Sequence, residues 1–210
     1  QKYKSILQKN RLILNLNTIM ILAIFSGEVL ASGAYDKGSS TGKGRFEFSI
    51  TINPLGVVPF GQNYVVFSYG LGNRFDVVGY YSSHKNGTQS QYIGSLYQFF
   101  ESEKLDLATA IGFRHKNSGK WDIFSPQILY NYKLTKNYSF GGSLVKVIEL
   151  DKMEDKGNAL DITLYKNINN IFSRSQKIKD AYFGIGVFKN TEANFENRDL
   201  YLHYSLDLIF

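Results

Sequence analysis

Read in steps of two, residues 199–210 (D-L-Y-L-H-Y-S-L-D-L-I-F) separate into two faces. Leu200, Leu202, Tyr204, Leu206, Leu208 and Phe210 share one; Asp199, Tyr201, His203, Ser205, Asp207 and Ile209 share the other. Such alternation belongs to a strand with one apolar and one largely wet side. The pattern recurs upstream. From Arg45 onward turn signals divide the chain into strands near 45–52, 63–71, 73–82, 90–100, 104–115, 121–134, 138–149, 158–166, 180–189 and 199–210, with no period-3.6 stretch of helix length. Phe46, Phe48, Ile50 and Ile52 oppose Arg45, Glu47, Ser49 and Thr51; Leu160, Ile162 and Leu164 oppose Asp161, Thr163 and Tyr165. In 90–100 both faces are apolar, and the pattern assigns no inner side there.

Alternation alone does not say which face points inward. A soluble barrel turns the bulky face in, whereas a membrane barrel turns it out. The last strand bears on the choice, because it is long enough to cross a bilayer core as a tilted strand, about 9–11 residues, and ends on an aromatic. It resembles the C-terminal strand of bacterial outer-membrane β-barrels. That resemblance implies an assembly signal at Leu202, Tyr204, Leu206, Leu208 and Phe210, read by the barrel-assembly machinery. It concerns the architecture of residues 45–210 and no one functional family. The fold expected is all-β, an up-and-down antiparallel transmembrane β-barrel of ten strands, eight and twelve being the neighbouring even counts.

Residues 1–33 point the same way. Lys2, Lys4, Lys9 and Arg11 precede an apolar run, Ile19 to Phe25, and a small-residue exit, Ala31-Ser32-Gly33. These are the parts of a cleaved secretory signal. Asn15, Asn17 and Glu28 bound the run short of the roughly 18–20 apolar residues of a spanning helix. Residues 34–44 (A-Y-D-K-G-S-S-T-G-K-G) read as a Gly/Ser-rich linker. Gly42-Lys43 does not make a phosphate loop, since Gly44 stands where Ser or Thr is required.

Composition alters little. The net charge of +6 falls to +3 without residues 1–33, and the remaining cations lie singly beside acids, which argues against nucleic acid as a partner. There is no Cys, and His84, His115 and His203 lack metal-ligand spacing, so no metal and no cofactor are expected. Fifteen Tyr and sixteen Phe suit strands and membrane interfaces, and Tyr64, Phe75, Tyr92, Trp121, Tyr138 and Tyr182 near strand ends are candidates for an interfacial girdle.

With bulky faces outward, the lumen would carry Arg45, Glu47, Arg74, Asp76, Asp106, Arg114, Asp161, Asp199, His203 and Asp207. Buried charges need partners, so these are expected to form a polar network filling a narrow barrel or lining a narrow pore. Short turns would face the periplasm and long loops the exterior, with 167–179 an exception on the short side. The expected function is a narrow solute channel or membrane-structural barrel. Two other classes remain: an exported soluble barrel holding an apolar ligand, and a rim-site enzyme of the kind found among omptin proteases and lipid A acyl- or deacylases. For the enzyme the nearest pair is His115 and Asp122, which parity places on the lipid-facing side, and catalysis is not expected. Outer-membrane lipid and lipopolysaccharide are the expected partners, with Lys85, Lys116, Lys120 and Lys146 as candidate phosphate contacts.

Overall fold

A computed structural model describes residues 37–52, 62–84, 89–116, 119–190 and 200–210. The signal segment 1–33, Lys85 and Asp199 lie outside them. The described chain is all strand and turn: β1 (Phe46–Ile52), β2 (Gln62–Gly70), β3 (Phe75–His84), β4 (Gln89–Glu101), β5 (Leu105–Lys116), β6 (Ile123–Phe124), β7 (Gln127–Lys133), β8 (Tyr138–Glu149), β9 (Glu154–Asn167), β10 (Asp180–Asn190) and β11 (Leu200–Ile209).

β6 and β7 are two pieces of one stave. Arg114 pairs with Ile123 and Ala110 with Gln127, in one unbroken register along β5. Pro126 between them accepts from the Lys146 amide but has no amide of its own, so one rung of the ladder is missing. The barrel therefore has ten staves, each antiparallel to its neighbours, and β1 pairs with β11 to close it. Main-chain bonds between Phe46 and Phe210 run in both directions at the end of this seam, with their rings 6.4 Å apart. Closure removes free edges, as a sheet in hydrocarbon requires.

The apolar faces point outward. Phe67 and Tyr69 on β2, Ile111 and Phe113 on β5, Leu160, Ile162 and Leu164 on β9 and Val187 on β10 are all exposed, while Asp76, Asp106, Asp161, Thr163, His203, Ser205 and Asp207 are buried. This is the inverse of a soluble barrel and the arrangement of an outer-membrane one. In β4 the structure supplies the inner side that hydrophobicity leaves open: Ser90, Tyr92, Leu96 and Gln98 face inward. A bulge between Gln98 and Phe100 then places Phe99 and Phe100 both on the outer surface.

The expected girdle is corrected in part. Phe75, Trp121 and Tyr138 are exposed, but Tyr64 and Tyr92 are buried inside against Tyr80, Tyr92 stacked on its ring and Tyr64 edge-on to it, with ring centroids 5.3 Å apart in each pair. Strand parity, stronger than any preference of tyrosine for interfaces, directs them inward. Tyr182 also points inward, its ring lying against Lys37.

The turns 71–74, 102–104 and 134–137 lie at one end together with Phe210 and with the longer connection 168–179. That connection is ordered by its own bonds. Asn169 receives the Ala181 amide and donates to Asp180, and the Lys179 amide reaches the Ile209 carbonyl.

Ile162, facing outward in mid-strand, tests the orientation. Ile162→Arg should destabilise the barrel by about 2–4 kcal/mol in reversible guanidinium unfolding from lipid vesicles. A change within about 0.5 kcal/mol, ordinary for a water-exposed site, would contradict a lipid-facing surface.

Candidate functional site

The inner wall falls into two halves. Across β2–β5 and β7 its middle is apolar, Val66, Val78, Leu96, Ala108, Ala110 and Leu129 packing with the Tyr64, Tyr80 and Tyr92 rings, while Asp76 and Asp106 on the same strands lie toward the mouth. Across β9, β11 and β1 it is polar. His203 Nε2 on β11 lies 2.9 Å from Asp161 Oδ2 on β9, and the Thr163 hydroxyl donates to Asp161 Oδ1 at 2.7 Å. The intervening strand allows this because Gly186 has no side chain; a Cβ there would stand 2.2 Å from Thr163 Oγ1 and 2.4 Å from His203 Nε2. The Ser49 hydroxyl on β1 donates across the seam to Asp207.

Of the charged residues that parity sends inward, Asp76, Asp106, Asp161, His203 and Asp207 are buried in the lumen, Glu47 is largely covered, and Arg114 is half-buried near the outer end. Arg45 and Arg74 do not join them. Each stands at a strand end where the chain leaves the wall, and their half-exposed side chains pair on the rim with Asp180 at 3.8 Å and Glu101 at 3.7 Å. His203 lies between Asp161 and Thr163 of β9. His115 is held by Gln91 at 3.1 Å and lies edge-on to Trp121 at 4.7 Å, so it forms no dyad with Asp122. Lys146 is paired with Asp155.

The wall acids of the lower lumen find their counter-groups in a segment that sequence reasoning did not single out. Residues 37–44, linker-like in composition, run inside the mouth as a strap. Lys37 Nζ lies 2.6 Å from Asp207 Oδ2 and 3.4 Å from Glu47 Oε1. The Ser39 hydroxyl donates to Asp106 at 2.7 Å and receives the Asn131 side-chain amide at 3.1 Å. Asp76 accepts the Ser40 hydroxyl at 2.6 Å and the Thr41 amide at 2.7 Å, and the Ser40 amide reaches Gln98 Oε1 at 2.8 Å. Four carboxylates from β1, β3, β5 and β11 are thus satisfied by one short stretch of chain, with Lys133 adding a second contact to Asp106 at 2.9 Å.

Two glycines make the seat possible. A Cβ on Gly38 would stand 2.6 Å from Tyr130 Cα and 2.8 Å from the Asp106 and Leu129 carbonyl oxygens, so the strap touches the wall backbone there. Gly42 turns the chain with φ +90°, and its carbonyl lies against Gly70. The signal that could have revealed the strap is an imbalance: parity sends six acids inward against three arginines, two of them at strand ends, which calls for a cation from outside the strands. Burial alone would favour the neutral amine of Lys37, but Asp207 and then Glu47 outweigh it and hold the ammonium's pKa well above its ordinary value.

Above the strap is a cavity of about 40 Å³ between Glu47, Ser49, Ser68, Asp76, Tyr165 and Asp207. Below it the mouth widens into a vestibule of about 590 Å³ lined by Arg45, Glu103, Lys133, Asn167, Asp180 and Tyr182 among others. Lys37 borders both spaces.

No protein-family model matches the sequence, and no curated protein does. Solved structures do match the fold. The KdgM porin superimposes with a TM-score of 0.50 at 8% identity, over 79% of this chain and 98% of that one, and the KdgM porin in complex with disordered oligogalacturonate gives the same values. The fold is that of an outer-membrane porin barrel. OccK5 (OpdH) of Pseudomonas aeruginosa also matches, with a TM-score of 0.32 at 10% identity, over 77% of this chain and 62% of that one.

Gly38→Val should unseat the strap. A cysteine placed at Ser40, protected in the parent barrel, should then react with a water-soluble maleimide faster by on the order of 10-fold, because local opening sets the labelling rate. Equal rates in both backgrounds would mean that the strap does not depend on this contact.

Proposed function

We propose that this protein is a narrow outer-membrane channel whose lumen residues 37–44 close at rest, and that it passes cations. The observation that carries the reading is the set Glu47, Asp76, Asp106 and Asp207, whose close partners include a strap that belongs to no strand. Rings of carboxylates are the selecting elements of cation pores. With the strap seated, its ammonium, hydroxyls and amide bind them; with it withdrawn, they line the space that it leaves. A purely structural barrel would be expected to fill its wall with groups that answer one another, as Asp161 and His203 do higher up. A KdgM porin is known with a bound oligogalacturonate, a polyanion. The four carboxylates under the strap favour solutes of the opposite sign.

Export through cleavage near Gly33 and assembly through the strand Leu202–Phe210 belong to the same reading, as does contact with lipid and lipopolysaccharide at the outer rim. Lys120 remains a candidate phosphate contact. Lys146, already paired with Asp155, is a weaker one.

Planar-bilayer recording tests the channel. The parent barrel should be closed for most of the record. Gly38→Val should show long openings with cations favoured over anions by several-fold, and adding Asp76→Asn should reduce that preference. Silence from Gly38→Val in a barrel that still shows heat-modifiable mobility on a denaturing gel would reject the channel and leave a structural role.

A further inference from the structure

The strap's lysine occupies a pocket that the wall builds without it. Around Lys37 Nζ stand Asp207 of β11 at 2.6 Å and Glu47 of β1 at 3.4 Å, while the ring centroids of Tyr182 on β10 and Tyr165 on β9 lie 4.2 Å and 4.8 Å away. Two carboxylates and two aromatic faces from four adjacent staves thus enclose one ammonium group. This is chemistry specific to organic ammonium ions. The carboxylates take the charge and the donors, and the rings take the cation's face and the carbon stem behind it. A small inorganic cation has no stem to lay on the rings. A guanidinium is a flat fork in place of a compact head.

Glu47 is bound by Thr41 of the strap as well as by Lys37, and the other three wall groups are held by the barrel. Asp207 is also bound by Ser49 across the seam, and Tyr165 and Tyr182 rise from paired strands. The pocket opens toward the vestibule on one side and the 40 Å³ cavity on the other, so a solute leaving or reaching the mouth would pass it.

We infer that this pocket is a binding site for primary alkylammonium solutes, such as simple alkylamines, diamines and the side-chain amine of a basic amino acid, and that Lys37 is a tethered occupant which such a solute displaces. The inference rests on the channel reading for its physiological use, but binding itself needs no conduction. It gives the strap a reason to leave, since a free ammonium ion at sufficient concentration takes the place of Lys37 and removes the strap's strongest attachment.

Lys37→Ala in the otherwise unaltered chain vacates the ammonium and the three carbons beyond Cβ, a space for the head and stem of a short alkylammonium ion, with the vestibule beside it for the last carbon of butylammonium. Folded in detergent, this variant should lose its heat-modifiable form at a lower temperature than the parent. n-Butylammonium chloride should restore the midpoint saturably, binding about tenfold tighter than sodium ion at matched ionic strength. Sodium butyrate and butanol should have no such effect. The parent barrel, its pocket filled, should respond only at much higher concentration, and Lys37→Met, whose side chain fills the stem's space, should respond weakly. Combining Lys37→Ala with Tyr182→Leu should weaken the response. If Lys37→Ala does not fold by itself, the readout becomes folding yield, which butylammonium should rescue and butyrate should not. Equal effects of butylammonium and sodium chloride, or none from either, would overturn the site. Rescue without conductance in Gly38→Val would overturn the channel while leaving the site, and conductance without rescue would do the reverse.

Discussion

Everything in this molecule depends on the main-chain seam between β1 and β11. Hydrocarbon offers no partner for an amide or a carbonyl, so a sheet that presents its apolar face to lipid must close on itself. The pairing of Glu47 with Ile209 through Ile52 with Tyr204, finished by the bonds between Phe46 and Phe210, accomplishes that. Closure fixes the meaning of each side chain. With the period-two pleat locked in one register, Leu206 and Leu208 are committed to lipid, and Ser205 and Asp207 to the interior.

Closure creates the second problem, which is how a ten-staved interior is filled. Ten strands leave little more room than side chains need. One side of its middle is filled as a soluble core would be, with Val78, Leu96, Leu129 and a cluster of three tyrosines; the other carries a hydrogen-bonded set around Asp161, Thr163 and His203. Under the strap Glu47 and Asp207 are paired with no cation of the strands, and the ammonium that meets them arrives on a piece of chain that belongs to no strand.

Much of this could be read from residue order. Alternation gives the staves, and it places Glu47, Asp76, Asp106, Asp161, His203 and Asp207 on one side because parity holds as long as pairing does. It misleads at Arg45 and Arg74, which share that parity but sit where pairing ends and the chain turns away. In β4 it gives no answer, since Tyr92 and Leu96 belong to an apolar interior and Ile93 and Tyr97 to a lipid face, so hydrophobicity has no contrast to report. The strap was hidden for a different reason. Gly and Ser usually signal a stretch with nothing to hold, yet here the absent Cβ of Gly38 and the hydroxyls of Ser39 and Ser40 are what permit and make the contacts.

The four acids that receive the strap come from β1, β3, β5 and β11, the two ends of the chain and two strands between them. No partial sheet brings them together, and a one-residue slip at the seam would turn Asp207 toward lipid. The strap can dock in full only when every earlier pairing is right. A seated strap is thus a mark, written in side-chain contacts, that the cylinder has closed in its proper alignment.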